Sequence, residues 1–195
     1  MKIICVGRNY AAHAAELGND VPDEPLLFIK PETAILPNGK PFRIPSFSDD
    51  IHYEAELVLR IGKEGQKVSK ESAREYIDSY TVGLDMTARD IQSQLKASGM
   101  PWEKAKAFDG SAIVGRTFHP WSGFDASTTR FELNVDGSTV QQGDPRLMIF
   151  PIPVLLEHIS RYFTLAKGDL IFTGTPQGVG KIAAGNRMQA FLDGE

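Results

Sequence analysis

The sequence has one cysteine, Cys5, so no disulfide can close within the chain. Cys5 lies in the apolar run Ile3-Ile4-Cys5-Val6, where an inert buried thiol is expected. A block of consecutive basic residues is also missing, and the formal net charge is −4. A nucleic-acid or anionic-membrane partner would need a basic patch, so neither is expected. Long apolar runs are absent as well. The longest stretch, Leu147 to Ile159, is interrupted by Pro151, Pro153 and Glu157, and a membrane-spanning helix needs about 20 apolar residues. The N-terminus offers one lysine before four apolar residues, too few for the apolar core of a signal peptide. A cytoplasmic location is therefore expected. There is no internal repeat, linker or low-complexity tract, and 195 residues suit one catalytic domain over 1–195, burying roughly 70 % of its unfolded surface.

What is present reads as a mixed, β-rich α+β domain. Strands are expected at 2–6, 26–30, 51–61, 80–85, 111–114, 130–135, 138–141, 169–173 and 188–193. The segment 51–61 alternates most strictly, and Asp136-Gly137 is a hairpin turn signal. Helices are expected at 11–17, closed by Gly18-Asn19, at 69–78 with Ser69 or Ser72 as N-cap, at 87–97, and at 152–163. No regular βαβ alternation appears. Phe191 to Glu195 reads as a strand entering a turn without a returning strand, so the chain is expected to stop short of the full fold.

The most informative stretch is His52-Tyr53-Glu54-Ala55-Glu56-Leu57-Val58-Leu59. On a strand, His52, Glu54 and Glu56 share one face, with the two carboxylates about 6.5–7 Å apart at Cα. Both can then converge on a hard divalent cation; a solvent-facing polar row on a half-buried strand gives the same pattern. Asp85 ends the apolar run Tyr80-Thr81-Val82-Gly83-Leu84, where a buried carboxylate needs a partner. It completes a three-carboxylate set with Glu54 and Glu56, or else caps the helix starting at Thr87. In the small, Ala-rich helix near the N-terminus, His13 and Glu16 are i and i+3 and meet on one face. A carboxylate orients an imidazole and raises its basicity, as a general base requires. Segment 7–20, flanked by Gly7 and Gly18, has the makings of a lid.

Cationic candidates are Lys104 and Lys106, on one side of an extended segment 102–108, and Arg89, paired at i,i+3 with Gln92. Cations beside a forming enolate stabilise its charge. Thr173 to Gly180 is a glycine-rich loop after a strand, but its spacing to Lys181 is one residue too long for a phosphate loop and Ile182 stands where Ser or Thr is required. Its backbone N–H groups and Thr175 can instead hold a carboxylate.

In order and wording, GRNYAAHAAELG, EPLLFIKPETA, HYEAELVLRIG, GLDMTARDIQ, PWEKAKAFDGSA and FTGTPQGVG resemble the fumarylacetoacetate hydrolase family from Gly7 to Gly180, nearest its short acylpyruvase, fumarylpyruvate hydrolase and oxaloacetate-handling members. The resemblance implies a mixed β-roll, usually assembled as a homodimer. It implies Glu54, Glu56 and Asp85 as ligands of Mg²⁺ (or Mn²⁺), and His13 with Glu16 as a dyad on a lid. It implies Lys106 as the active-site lysine, Arg89 and Gln92 as substrate contacts, Thr175 in the carboxylate-holding loop, and Lys30 near the site. The segment 143–147 departs from the family pattern, lacking its aspartate, so no polar role is carried over there. The activity implied is cleavage of a C–C bond in small 2,4-dioxo acids through an enolate. The same station can instead tautomerise or decarboxylate oxaloacetate, and a different class of reading is a non-catalytic metal-binding protein on the same fold.

Overall fold

The computed structural model describes all residues, 1–195. In chain order the elements are β1 (Ile3–Gly7), α1 (Ala11–Glu16), β2 (Leu26–Lys30), β3 (Ile51–Tyr53), β4 (Ala55–Ile61), β5 (Ile77–Asp85), β6 (Thr87–Ala88), α2 (Arg89–Ala97), α3 (Glu103–Lys106), β7 (Ala112–Val114), β8 (His119–Pro120), β9 (Phe131–Val135), β10 (Ser138–Gly143), α4 (Ile152–Tyr162), β11 (Leu170–Phe172), β12 (Gly180–Lys181) and β13 (Met188–Leu192). The main sheet runs β2-β1-β11-β4-β5-β7, with β8 also on β5; two three-stranded sheets, β10-β9-β13 and β12-β3-β6, complete a strand-rich α+β roll. Only β1 and β11 pair in parallel. The other ladders are antiparallel, which is why no βαβ alternation is visible in the sequence.

Period-two alternation sets the two sides of β4. Leu57, Leu59 and Ile61 share a core with Leu155, Leu156 and Ile159 of α4. Val58 turns to the opposite face, with Ile3, Cys5 and Phe172. Burial pushes the Cys5 thiol well above its ordinary pKa, consistent with an inert side chain. The β9–β10 turn places Asp136 at φ 51° and Gly137 at φ 83°, the left-handed pair a two-residue hairpin needs.

Three expectations are corrected. The segment 51–61 is not one strand: it breaks at Glu54 into β3 and β4, which belong to different sheets. At the break the Ala55 N–H donates to Gln141 Oε1 (2.8 Å), so a side chain from β10 serves where a ladder partner would. The expected helix 69–78 is only a 3₁₀ turn, Ala73–Tyr76, because Ile77 is drawn into the ladder opposite Ile61. The helix expected from Thr87 begins at Arg89, since Thr87 and Ala88 pair with His52 and Ile51. Asp85 therefore caps no helix. No helix is long and apolar enough to cross a membrane.

Candidate active site

The break at Glu54 is what builds the site. It lets Glu54 and Glu56 turn inward beside Asp85, the last residue of the neighbouring strand β5. One oxygen from each of the three carboxylates lies within 4.8 Å of the others, and their residues are 4 %, 2 % and 0 % exposed. A solvent-facing polar row is thereby excluded. Such acids persist in a core only when compensated, and three cations do this. Lys106 Nζ donates to Glu54 Oε2 (2.7 Å), Asp85 Oδ2 (2.8 Å) and Thr87 Oγ1 (2.6 Å). Arg89 donates through Nη2 to Glu54 Oε1 (2.5 Å) and through Nη1 to Gln92 Oε1 (2.6 Å). Lys30, wholly buried, brings Nζ to 2.7 Å from Asp85 Oδ1.

Lys30 spends its hydrogen bonds elsewhere, on the Lys106 carbonyl and on Ser111 O and Oγ. Asp85 Oδ1 thus has a charge partner but no hydrogen bond. A buried carboxylate oxygen left in this state, within a set of three hard oxygen donors, fits a divalent cation. Lys30 also fastens the C-terminal carbonyl of α3, which fixes the direction of the Lys106 side chain. Segment 103–106 is helical rather than extended, so residues two apart diverge: Lys106 points inward while Lys104 is exposed. Lys104 is no part of the site.

Two carboxyls two residues apart are driven in opposite directions. Burial alone would raise Glu54, but the charges of Lys106 and Arg89 outweigh it and hold the group well below the usual carboxylate range. Glu56 is pushed well up, by burial first and then by the negative charges of Asp85 and Glu54. Burial would likewise lower Lys106, yet Asp85 and Glu54 leave it raised and firmly cationic.

The glycine-rich loop meets the triad through its backbone. The Gly174 N–H donates to Glu56 Oε2 (2.7 Å). Gly174 takes φ 102°, and a Cβ there would fall 2.6 Å from Asn9 Cβ; only glycine satisfies both. Thr175 Oγ1 donates to Ala55 O (2.8 Å) and accepts from Gln141 Nε2 (2.8 Å). Gln141 also donates to Pro176 O (3.0 Å), so a single buried amide ties the strand break to the loop. Asn9 does the same for β11, donating to Thr173 O (2.8 Å) and Phe150 O (3.1 Å) and accepting from Phe150 N (2.8 Å). Neither Gln141 nor Asn9 could be singled out in the sequence, where each is one polar residue beside strand or helix; Thr87 was equally silent.

On α1, His13 is buried and its Nδ1 lies 3.3 Å from Glu16 Oε2. An acceptor carboxylate there makes Nδ1 the protonated nitrogen and leaves the Nε2 lone pair for chemistry. Burial lowers the His13 pKa, against the opposing effects of Glu54 and Glu16. Glu16 also accepts from the Gly178 N–H at 3.0 and 3.2 Å, which docks the short helix onto the glycine-rich loop. His13, Glu54, Glu56, Asp85, Arg89, Gln92, Lys106 and Thr175 all line one cavity of about 40 Å³; Lys30 lies behind it. The segment 143–147 stays outside, where Asp144 accepts from Arg146 N (2.9 Å) and pairs with the Arg146 side chain.

The family model for the C-terminal domain of fumarylacetoacetate (FAA) hydrolase matches residues 2–195. The chain belongs to the fumarylacetoacetate hydrolase family. It is 46 % identical to the mitochondrial oxaloacetate tautomerase FAHD1 of Arabidopsis thaliana over 193 residues, 99 % of this chain and 86 % of the relative. To oxaloacetate tautomerase YcgM of Escherichia coli (strain K12) it is 44 % identical over 195 residues, 99 % of this chain and 89 % of the relative. Among solved structures, fumarylpyruvate hydrolase from Pseudomonas aeruginosa in complex with Mn²⁺ and pyruvate superposes with a TM-score of 0.92 at 43 % identity, covering 100 % of this chain and 85 % of the other. This family member is an enzyme, and its acidic triad is suited to a divalent metal.

Proposed function

We propose that the chain is an oxaloacetate tautomerase, converting the enol form of a four-carbon 2-oxo diacid to the keto form. Similarity over almost the whole chain to two proteins named for that reaction carries the reading. The site agrees with it. A cavity of about 40 Å³ is lined by His13, Arg89, Lys106 and the acidic triad, the groups that a proton transfer through an enolate calls on.

In this proposal Glu54, Glu56 and Asp85 hold Mg²⁺ or Mn²⁺, which when bound supplies Lewis-acid stabilisation of negative charge at the 2-oxo position. His13 Nε2 handles the proton. It accepts the enol O–H proton and returns a proton to C3, so the C2=C3 double bond becomes C2=O and no water is consumed. Glu16 keeps Nδ1 protonated and the ring in place. Lys106 and Arg89 stabilise the enolate charge between the two transfers, while Gln92 orients Arg89 and Thr175 borders the bound carboxylate. Lys30 acts behind them by positioning Lys106 and Asp85. Assembly as a homodimer belongs to the same proposal and is checked by sedimentation.

Hydrolysis of 2,4-dioxo acids is the second reading, favoured by the likeness to the Pseudomonas fumarylpyruvate hydrolase. There His13 would activate a water instead. Purified protein assayed with Mg²⁺ and again with EDTA separates the two: metal-dependent loss of enol-oxaloacetate absorbance without pyruvate release supports the tautomerase, pyruvate release marks a decarboxylase, and cleavage of acylpyruvate or fumarylpyruvate alone overturns both oxaloacetate assignments.

A further inference from the structure

The cations around the pocket fall into two groups. Arg89, Lys106 and Lys30 are each ion-paired with Glu54 or Asp85. Arg8 and Lys96 also line the cavity, and neither has a carboxylate oxygen within 4.0 Å. Lys96 Nζ, near the end of α2, donates only to the neutral Asn19 Oδ1. The Arg8 guanidinium lies 6.0 Å from the Trp102 ring centroid. Burial and then the Arg8 charge lower the Lys96 pKa, as expected for two cations facing each other across a gap.

The Arg8 backbone is itself unusual. It takes φ 56°, the left-handed region that a long side chain adopts at a cost and that collects at functional sites. The turn aims Arg8 at the pocket from the residue just ahead of Asn9, whose side chain is locked to β11 and to Phe150.

We propose that Arg8 and Lys96 bind the second carboxylate of a 2-oxo diacid and set the enzyme's preference for dicarboxylates over 2-oxo monoacids. This deepens the tautomerase reading and rests on it. One end of the substrate engages the buried acid–base station. The other places its carboxylate between two cations that lack an anion, relieving their repulsion and forming charge-assisted hydrogen bonds. A monocarboxylate such as pyruvate has nothing to offer them.

Trp102 in the pocket wall gives a binding readout separate from turnover. Tryptophan fluorescence of Mg²⁺-loaded protein is titrated rapidly with oxaloacetate and with pyruvate, for wild type and for Arg8→Asn, Lys96→Met and the double variant. Asn tolerates the left-handed backbone, so the fold is not at stake. Wild type should bind oxaloacetate the more tightly, each variant should lose roughly 10-fold or more for oxaloacetate, and pyruvate affinity should move less than about 2-fold. Arg8→Lys should recover part of the loss. Retained discrimination in the double variant overturns the proposal. So does an equal loss for both ligands that high salt erases, the mark of long-range steering. Wild type that turns over enol-oxaloacetate yet binds pyruvate as tightly leaves the tautomerase reading standing and overturns this subsite alone.

Discussion

On the floor of the pocket Glu54, Glu56, Asp85 and Lys106, with Lys30 just behind them, are each no more than 4 % exposed, and ion pairs link Lys30, Asp85, Lys106 and Glu54 across β2, β5, α3 and the break between β3 and β4. At the mouth, His13 sits on a six-residue helix with no side-chain cap at its start, and Glu16 is 33 % exposed. Helices this short have no stability of their own in water, and α2 on the other flank buries none of its residues. The contrast separates two tasks. Charge stabilisation depends on groups fixed before substrate arrives. In the proposed reaction, proton handling sits on a short helix with little stability of its own, the kind of element that substrate entry can displace. Hydrogen exchange would test this directly: amides of α1 should open locally and exchange far faster than those of β4 and β5.

The largest effect is expected from breaking the floor. Asp85→Asn removes a carboxylate from the metal set and should cost several kcal/mol of transition-state stabilisation, about 10³-fold or more in rate, with Mg²⁺ binding lost by calorimetry. Lys30→Met removes one of the two buried charge partners of Asp85. Unfolding in urea should show a loss of about 3–5 kcal/mol; an unchanged midpoint would mean that Lys106 alone compensates Asp85.

Breaking the mouth should spare the floor. His13→Ala is expected to lower the rate by roughly 10²–10⁴-fold while Mg²⁺ affinity and the urea midpoint stay at wild-type values. A variant with undiminished turnover would remove His13 from the mechanism.

How visible each region was in the sequence follows the same division. Glu54 and Glu56 announced themselves because a spacing of two on a strand is local information, and Asp85 because it closes an apolar run. His13 and Glu16 were equally local. The break at Glu54 was not, since it depends on Gln141, 86 positions away, reaching into the ladder. Nor was the helical turn that sends Lys106 inward and Lys104 out. Its C-terminal carbonyl is held by Lys30, 76 positions distant. The helix misread at 69–78 failed for a related reason: Ile77 satisfies a helical pattern and a strand equally, and only its partner Ile61 decides. Arg8 stayed hidden because nothing local marks a non-glycine residue for left-handed backbone.

The pH profile sharpens the comparison further. Burial puts the His13 pKa below its ordinary value, so the neutral imidazole survives into mildly acidic solution. The rate should be flat through neutrality and fall, with a slope of one, only as pH drops through that lowered pKa. Glu16 opposes the lowering. Glu16→Gln should therefore carry the acid limb to still lower pH, and cut the plateau by less than His13→Ala does because the base itself remains. A limb that moves upward instead would show that Glu16 does not bear on His13 as its hydrogen bond suggests.

The smallest effect concerns the helix alone. Ala12 is exposed on α1, so Ala12→Gly acts chiefly on helix propensity. The cost is about 0.5–1 kcal/mol, at most roughly 5-fold in the population of the formed helix. If α1 is folded only marginally, that penalty passes into turnover, giving a fall of a few-fold with unchanged Mg²⁺ affinity and faster exchange of the α1 amides. If the contact of Glu16 with Gly178 holds the helix far from its melting point, turnover stays put and the exchange rates alone respond. The two results place the same six residues either as a gate or as a fixed wall.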